Sequence, residues 1–246
     1  MNLDKFMKDG QFQILALDHR GSFEQFIKIN GYLGRPWQPT EIFDPIKIKA
    51  EIIEVWIDKV SALLLDVDWG LPARRVVLKK LGQAKSKPLL LQSERSGCRQ
   101  TKEGRITEIE YSPSQLKELG ADGVKLLLYL DNQQSAFKKQ LETGKKILKE
   151  SQEISLPLFL EIITYGQGST LEIIKECLKE GLVADVFKLA YPGSPESCRQ
   201  LTEILSPIPW VLLSGGTKPA VFQVQLKTAI DNGASGFMAG RGVWAI

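Results

Sequence analysis

Three charged residues stand inside stretches that are otherwise apolar: Lys188 in ADVFKLAYP, Glu161 in PLFLEII and Lys125 in VKLLLYL. An ammonium within a strand buried on both faces is costly unless it meets a polar cavity or is tuned to lose its proton. A strand-end lysine reaching water would account for Lys188 alone, but not for all three residues. A desolvated ammonium beside another ammonium gives up its proton more readily. Lys125 next to Lys188 would therefore keep an amine nucleophilic near neutral pH, with Glu161 carrying protons. The rival arrangement is a Lys–Glu–Lys ion network that satisfies only itself.

A different chemistry is written near the C-terminus. Ser214-Gly215-Gly216 and Gly240-Arg241-Gly242 each follow an apolar run. Glycines let backbone N–H groups approach an anion, and a hydroxyl and a guanidinium complete a phosphate site. Other chemistries are thinly supplied. His19 is the only histidine, which removes His-rich zinc sites and leaves a Ser-His-Asp hydrolase only if His19 were its base. Cys98, Cys177 and Cys198 are scattered and form no CxxC pair, so neither a disulfide framework nor a thiolate metal site is expected. No metal and no cofactor is called for.

Something must bring these residues together. Apolar runs bounded by turn signals predict strands at Phe12 to Leu17, Ser61 to Val67, Leu89 to Glu94, Val124 to Leu130, Pro157 to Ile163, around Lys188, Ile208 to Ser214 and Ser235 to Gly240. Helical spacing fills the intervals, as from Thr40 to Val60 and from Asp131 to Ser151. Eight alternations of strand and helix are the number that closes a (β/α)8 barrel. An open doubly wound sheet competes, but the glycine-rich fingerprint after its first strand is missing. One domain over residues 1–246 follows, with the last helix shortened or missing, because the chain stops five residues after Arg241. A barrel works at the C-terminal ends of its strands. Those ends deliver Asp18, His19 and Arg20, Asp66 and Asp68, Glu94, Lys125, Glu161, Lys188, Ser214 and Arg241. Asp66 and Asp68 read as loop or cap residues. The long polar loop from Arg95 to Tyr111 reads as functional or mobile.

The 246 residues are 43% hydrophobic and 25% charged, with a net charge of +3. That is an ordinary globular composition, and no basic run suggests nucleic acid. The start lacks a secretory apolar core, and no apolar stretch approaches the ~18 residues of a membrane span, so a cytoplasmic location is expected. Self-association into a homo-oligomer stays open.

LALDHRGSF, SERSGC, GADGVKLLLYLD, PLFLEIITY, PWVLLSGG and GASGFMAGRGVWA occur in an order and spacing that cover nearly the whole chain. They resemble the tagatose-bisphosphate aldolase family and the related sulfofructose-phosphate aldolases, class I enzymes on a (β/α)8 barrel. The resemblance implies a Schiff base on Lys188, proton transfer by Glu161 and a supporting Lys125. It also implies a substrate site lined by Asp18 and His19, with His19 standing where a glutamine is usual, and a phosphate site from Ser214, Gly215, Gly216, Gly240 and Arg241. Glu94 joins the substrate-binding set from its strand end. The expected reaction is aldol cleavage of a ketose phosphate or bisphosphate to dihydroxyacetone phosphate and an aldehyde. A different barrel enzyme acting on sugar phosphates, an isomerase or transaldolase-like, is an alternative, as is a non-catalytic sugar-phosphate binding protein. Three departures from the family pattern stand out: Ala190 where relatives carry an acidic residue, the short C-terminus, and a compact connection after the fifth strand.

Overall fold

Runs such as Ala62–Leu65 and Leu89–Gln92 have no polar face and can be stable only where both faces are covered. The computed structural model describes residues 2–244 and covers them in that way. Eight parallel strands pair in chain order: β1 (Gln11–Leu17), β2 (Ala62–Leu65), β3 (Leu89–Gln92), β4 (Gly123–Leu130), β5 (Leu158–Thr164), β6 (Val186–Leu189), β7 (Trp210–Leu212) and β8 (Gly236–Ala239). Pairing of β8 with β1 closes the barrel, Gly236 to Ala239 lying opposite Phe12 to Leu15. This is the expected (β/α)8 architecture.

Helices ring the barrel: α1 (Gly21–Asn30), α2 (Pro45–Trp56), α3 (Gly70–Leu81), α4 (Pro113–Glu118), α5 (Ala136–Glu153), α6 (Thr170–Lys179), α7 (Pro195–Leu205) and α8 (Pro219–Asp231). Local chemistry sets their ends. Asp44 caps α2 by accepting from Lys47 N at 3.0 Å, with Pro45 in the first turn, so the helix starts there rather than at Thr40. Ser112 with Gln115, and Ser169 with Glu172, form reciprocal capping boxes for α4 and α6. After β8 the described residues end in one helical turn, α9 (Arg241–Trp244), and the tail beyond it lies outside them. The polar loop from Arg95 to Tyr111 is more ordered than its composition suggests: Arg99–Thr101 pairs antiparallel with Gly104–Ile106. No helix among the described residues is long and apolar enough to cross a membrane.

The inside of the barrel is divided by height. Its lower part is an apolar plug in which Phe159 packs edge-on against Phe6 and Phe12, at ring separations of 5.2 and 5.9 Å. Phe6 reaches the plug from a short turn, Asp4–Phe6, ahead of β1. Charge begins at the level of Phe159 and just above it, because Lys125 is in register with Phe159 and Glu161 with Lys188. The floor of the site is therefore apolar and closely packed.

Candidate active site

Side chains alternate along a strand, so the inward face of β4 carries Lys125, Leu127 and Tyr129, and that of β5 carries Phe159, Glu161 and Ile163. Lys188 on β6 sits directly beside Glu161. Its Nζ donates to Glu161 Oε2 at 2.7 Å, and Lys125 Nζ lies 2.9 Å from the same oxygen. Lys125 also meets Asp18 Oδ2 at 3.0 Å and Glu94 Oε1 at 2.5 Å. The second oxygen of Glu94 accepts from Leu127 N at 3.1 Å. The structure differs here from the direct ammonium pair anticipated from the sequence. A carboxylate bridges the two lysines, and Lys125 is enclosed by acidic groups because β1 and β3 supply Asp18 and Glu94 at the same height.

The electrostatics follow from that enclosure. Burial favours the neutral amine at Lys125, but Asp18, Glu161 and Glu94 outweigh it and hold the ammonium well above the usual lysine range. Burial pushes Glu161 up; Lys125 and Lys188 more than reverse this and keep it ionised. Asp18 is likewise held low against burial, by Lys125, Lys188 and His19. At Glu94 burial wins over Lys125, and the carboxyl is raised. His19 is pushed down to about 4, chiefly by burial, against the pull of Asp18 and with help from Lys188 and Arg241. It is a neutral imidazole at pH 7. Its Nδ1 is 3.6 Å from Asp18 Oδ1, and neither atom has a hydrogen-bond partner among the described residues.

All eleven sequence-derived site residues line one cavity of about 530 Å3 at the C-terminal mouth of the barrel. On its far side Ser214, Gly215 and Gly216 follow β7, while Gly240 and Arg241 follow β8. Gly216 has φ +78°, and a Cβ there would lie 3.2 Å from Arg241 Nη2. Glycine thus lets the chain turn close beneath the guanidinium. Arg241 stacks on Phe26, 5.6 Å from the ring centre, and is in no ion pair among the described residues, so its charge faces the cavity uncompensated. Ala190, half-buried beyond the end of β6, does not line the cavity, leaving Glu161 as the carboxylate that contacts Lys188. Asp66 is a cap as anticipated, accepting from Trp69 N at 2.7 Å and Gly70 N at 3.0 Å; Asp68 is a loop partner of Arg20.

Some functional side chains went unnoticed in the sequence. Tyr129 lines the cavity, and the two-residue period from Lys125 points to it. Lys49 is fully buried on the apolar face of α2; it donates to Leu17 O at 2.6 Å and His19 O at 2.8 Å, and pairs with Asp66. A lysine at helical spacing with Ile52 and Ile53 was the available signal. It holds the backbone on both sides of Asp18.

The fold and the cluster define a (β/α)8 barrel with a lysine–carboxylate centre at its catalytic mouth. The chain belongs to the DeoC/LacD family of aldolases, whose family model matches residues 12–246. It is 27% identical to tagatose 1,6-diphosphate aldolase 2 of Streptococcus pyogenes serotype M1, over 99% of this chain and 83% of that one. It is 28% identical to tagatose 1,6-diphosphate aldolase of Listeria monocytogenes serotype 4a, over 96% and 78%. Among solved structures, a Schiff-base-forming fructose-1,6-bisphosphate aldolase superposes with a TM-score of 0.69 at 21% identity, covering 99% of this chain and 93% of that one. An archaeal fructose 1,6-bisphosphate aldolase does so with 0.69 at 20%, covering 99% and 92%. At that identity the structural likeness speaks for the fold.

Proposed function

We propose that this chain is a metal-independent class I aldolase. It cleaves a ketose 1-phosphate or 1,6-bisphosphate to dihydroxyacetone phosphate and an aldehyde through a Schiff base on Lys188. The observation that carries this reading is the 2.7 Å contact of Lys188 Nζ with Glu161 Oε2, inside a cavity whose other side offers Ser214, Gly216 and the Arg241 guanidinium. A C1 phosphate held there sets C2 against the amine, and such positioning is worth several kcal/mol (about 7 or more in favourable cases). The tagatose 1,6-diphosphate aldolases it resembles support this reading, and an archaeal fructose-1,6-bisphosphate aldolase of this fold has been caught with its catalytic lysine bound to the carbinolamine of its substrate.

Lys188 passes a proton to Glu161 and its amine adds to the C2 carbonyl. Glu161 returns the proton to the C2 hydroxyl, which leaves as water, giving an iminium. The C3–C4 pair flows into the iminium as Glu161 takes the C4 hydroxyl proton, and the aldehyde departs. Protonation of the enamine at C3 and addition of water release dihydroxyacetone phosphate and Lys188. Lys125, charged throughout, keeps Glu161 from retaining the proton. Borohydride reduction with dihydroxyacetone phosphate should fix an adduct on Lys188, read by peptide mass. Active protein with no adduct on Lys188 sinks the mechanism. Binding of ketose phosphates with no cleavage would instead favour a non-catalytic binding protein, in which the buried ion network only satisfies itself.

A further inference from the structure

Asp18 Oδ1 and His19 Nδ1 stand side by side just past β1, 3.6 Å apart, and both are enclosed without a hydrogen-bond partner among the described residues. A buried polar atom left in that state is costly, and two of them facing each other call for a shared proton. The charge states decide where it sits. Asp18 is ionised, with Oδ2 taking the Lys125 ammonium at 3.0 Å, so its Oδ1 can only accept. The neutral imidazole has one proton to place. On Nε2 it would leave two lone pairs opposed inside the enclosure. On Nδ1 it satisfies both atoms, across a gap of the kind that tightens when a ligand binds.

The surroundings hold both residues to this arrangement. Lys49 donates to Leu17 O and His19 O, which fixes the backbone on either side of Asp18. Gly240 lies against the ring: a Cβ there would be 3.2 Å from His19 Cε1 and 2.8 Å from Ala16 O. The other edge of the imidazole is open. Nε2 makes no hydrogen bond among the described residues and is not among the enclosed atoms, and His19 lines the main cavity. The carboxylates of that cavity are differently placed, since Asp18, Glu94 and Glu161 each lie within 3.0 Å of Lys125. A lone pair on Nε2 is thus an acceptor tied to no ammonium. Because β1 pairs with β8, it stands beside the Gly240–Arg241 arm of the phosphate anchor, and Lys188 lines the same cavity. A three-carbon unit with its phosphate on Arg241 and its C2 on Lys188 has one hydroxyl left to donate, that on C3.

We propose that Asp18 holds His19 in the Nδ1–H tautomer and that the open Nε2 lone pair accepts a hydrogen bond from the C3 hydroxyl of the bound ketose phosphate. This rests on the reading of the cavity as a Schiff-base aldolase site. It makes His19 a specificity-determining residue, selecting donors that carry a hydroxyl beside the reactive carbonyl, and gives Asp18 a positioning role.

His19 is the only histidine, so protein made with isotope-labelled histidine reports its two ring nitrogens by NMR without ambiguity. At neutral pH Nδ1 should be protonated and Nε2 bare. Dihydroxyacetone phosphate should shift the Nε2 resonance, and hydroxyacetone phosphate, which lacks only the C3 hydroxyl, should shift it far less, although both can form the Schiff base. A proton on Nε2, or equal shifts with the two ligands, overturns the proposal, and neither measurement needs a variant. The calorimetric affinity ratio of the two ligands should favour dihydroxyacetone phosphate, fall at least about five-fold in His19→Leu, and largely persist in His19→Gln, whose amide oxygen can accept. A ratio that H19L leaves within about two-fold of wild type also overturns it. Borohydride adducts on Lys188 read the aldolase assignment separately: their absence sinks that reading, while the nitrogen spectrum and the affinity ratio still decide the role of His19.

Discussion

Glu161 Oε2 is shared by two ammonium groups, and the two are not equivalent. Lys125 has three carboxylates within 3.0 Å, whereas Lys188 contacts only Glu161. The charge of Lys125 is thus fixed, while Lys188 is free to change its bonding. In the proposed mechanism, conversion of Lys188 to a carbinolamine weakens one of the cations holding Glu161 ionised, which would make the carboxylate a better base at the step that needs it. Replacement of Glu161 by Gln should therefore lower kcat by about 10²–10⁴-fold, the usual range for a positioned proton carrier. Dihydroxyacetone phosphate binding, read by calorimetry, should change far less. Removing Lys125 acts differently. Lys125→Met strands Asp18, Glu94 and Glu161 together without their cation, a loss of about 3–5 kcal/mol by the usual cost of breaking a buried pair. Urea unfolding of K125M should show that loss, and an unfolding midpoint equal to wild type would contradict the enclosed-cation picture.

Elements rather than single residues decide where Asp18 and His19 point. Both sit on the short link between β1 and α1, and Lys49 reaches it from α2, bonding carbonyls on either side of Asp18. Asp66 binds Lys49 while capping α3, so one buried pair fastens three elements. Lys49→Met should cost about 3 kcal/mol through the uncompensated Asp66, and K49M/D66N should recover part of it, as neutralising both partners of a buried pair often does. Equilibrium unfolding of the single and double variants checks this. A double variant less stable than K49M would show that Asp66 matters chiefly through the α3 cap. These contacts also mark what the sequence could reveal. Period-two strands and charged residues inside apolar runs place Lys188, Glu161 and Lys125 on neighbouring strands. They do not say that Glu94 turns toward Lys125, since that depends on register across β3 and β4. The hairpin after β3 is equally hidden, because its three-residue strands are polar and too short for a hydrophobic period. Lys49 was legible as a lysine on an apolar helix face, but its partners are carbonyl oxygens, which no residue type announces.

For the molecule as a whole, acid sensitivity should centre on the one histidine. In an unfolded chain an imidazole titrates near 6.5; in the folded protein His19 stays neutral down to about 4. Between those values the unfolded state binds a proton that the native state does not, so stability rises with pH across the window and falls as it is acidified. Full expression of the gap is worth up to about 3 kcal/mol, reduced by the exposure of the side chain toward the cavity. Asp18 and Glu161 add their own loss at lower pH. Their folded values are depressed, so their contribution is present above the ordinary carboxylate range and disappears as pH falls through the folded values. Glu94 runs the other way, being raised, and recovers stability as it protonates. The His19 and Glu94 components both lie mainly above pH 4.5, with opposite signs, and only the first is removed with the imidazole. His19→Gln should therefore flatten the fall in melting temperature between about pH 6.5 and 4.5 while leaving the steeper loss below it. Calorimetric melts of both proteins across that range are the measurement. Parallel curves for wild type and H19Q would mean that the imidazole is solvated enough to protonate in the native state, and that the cavity mouth is wetter than the burial of His19 implies.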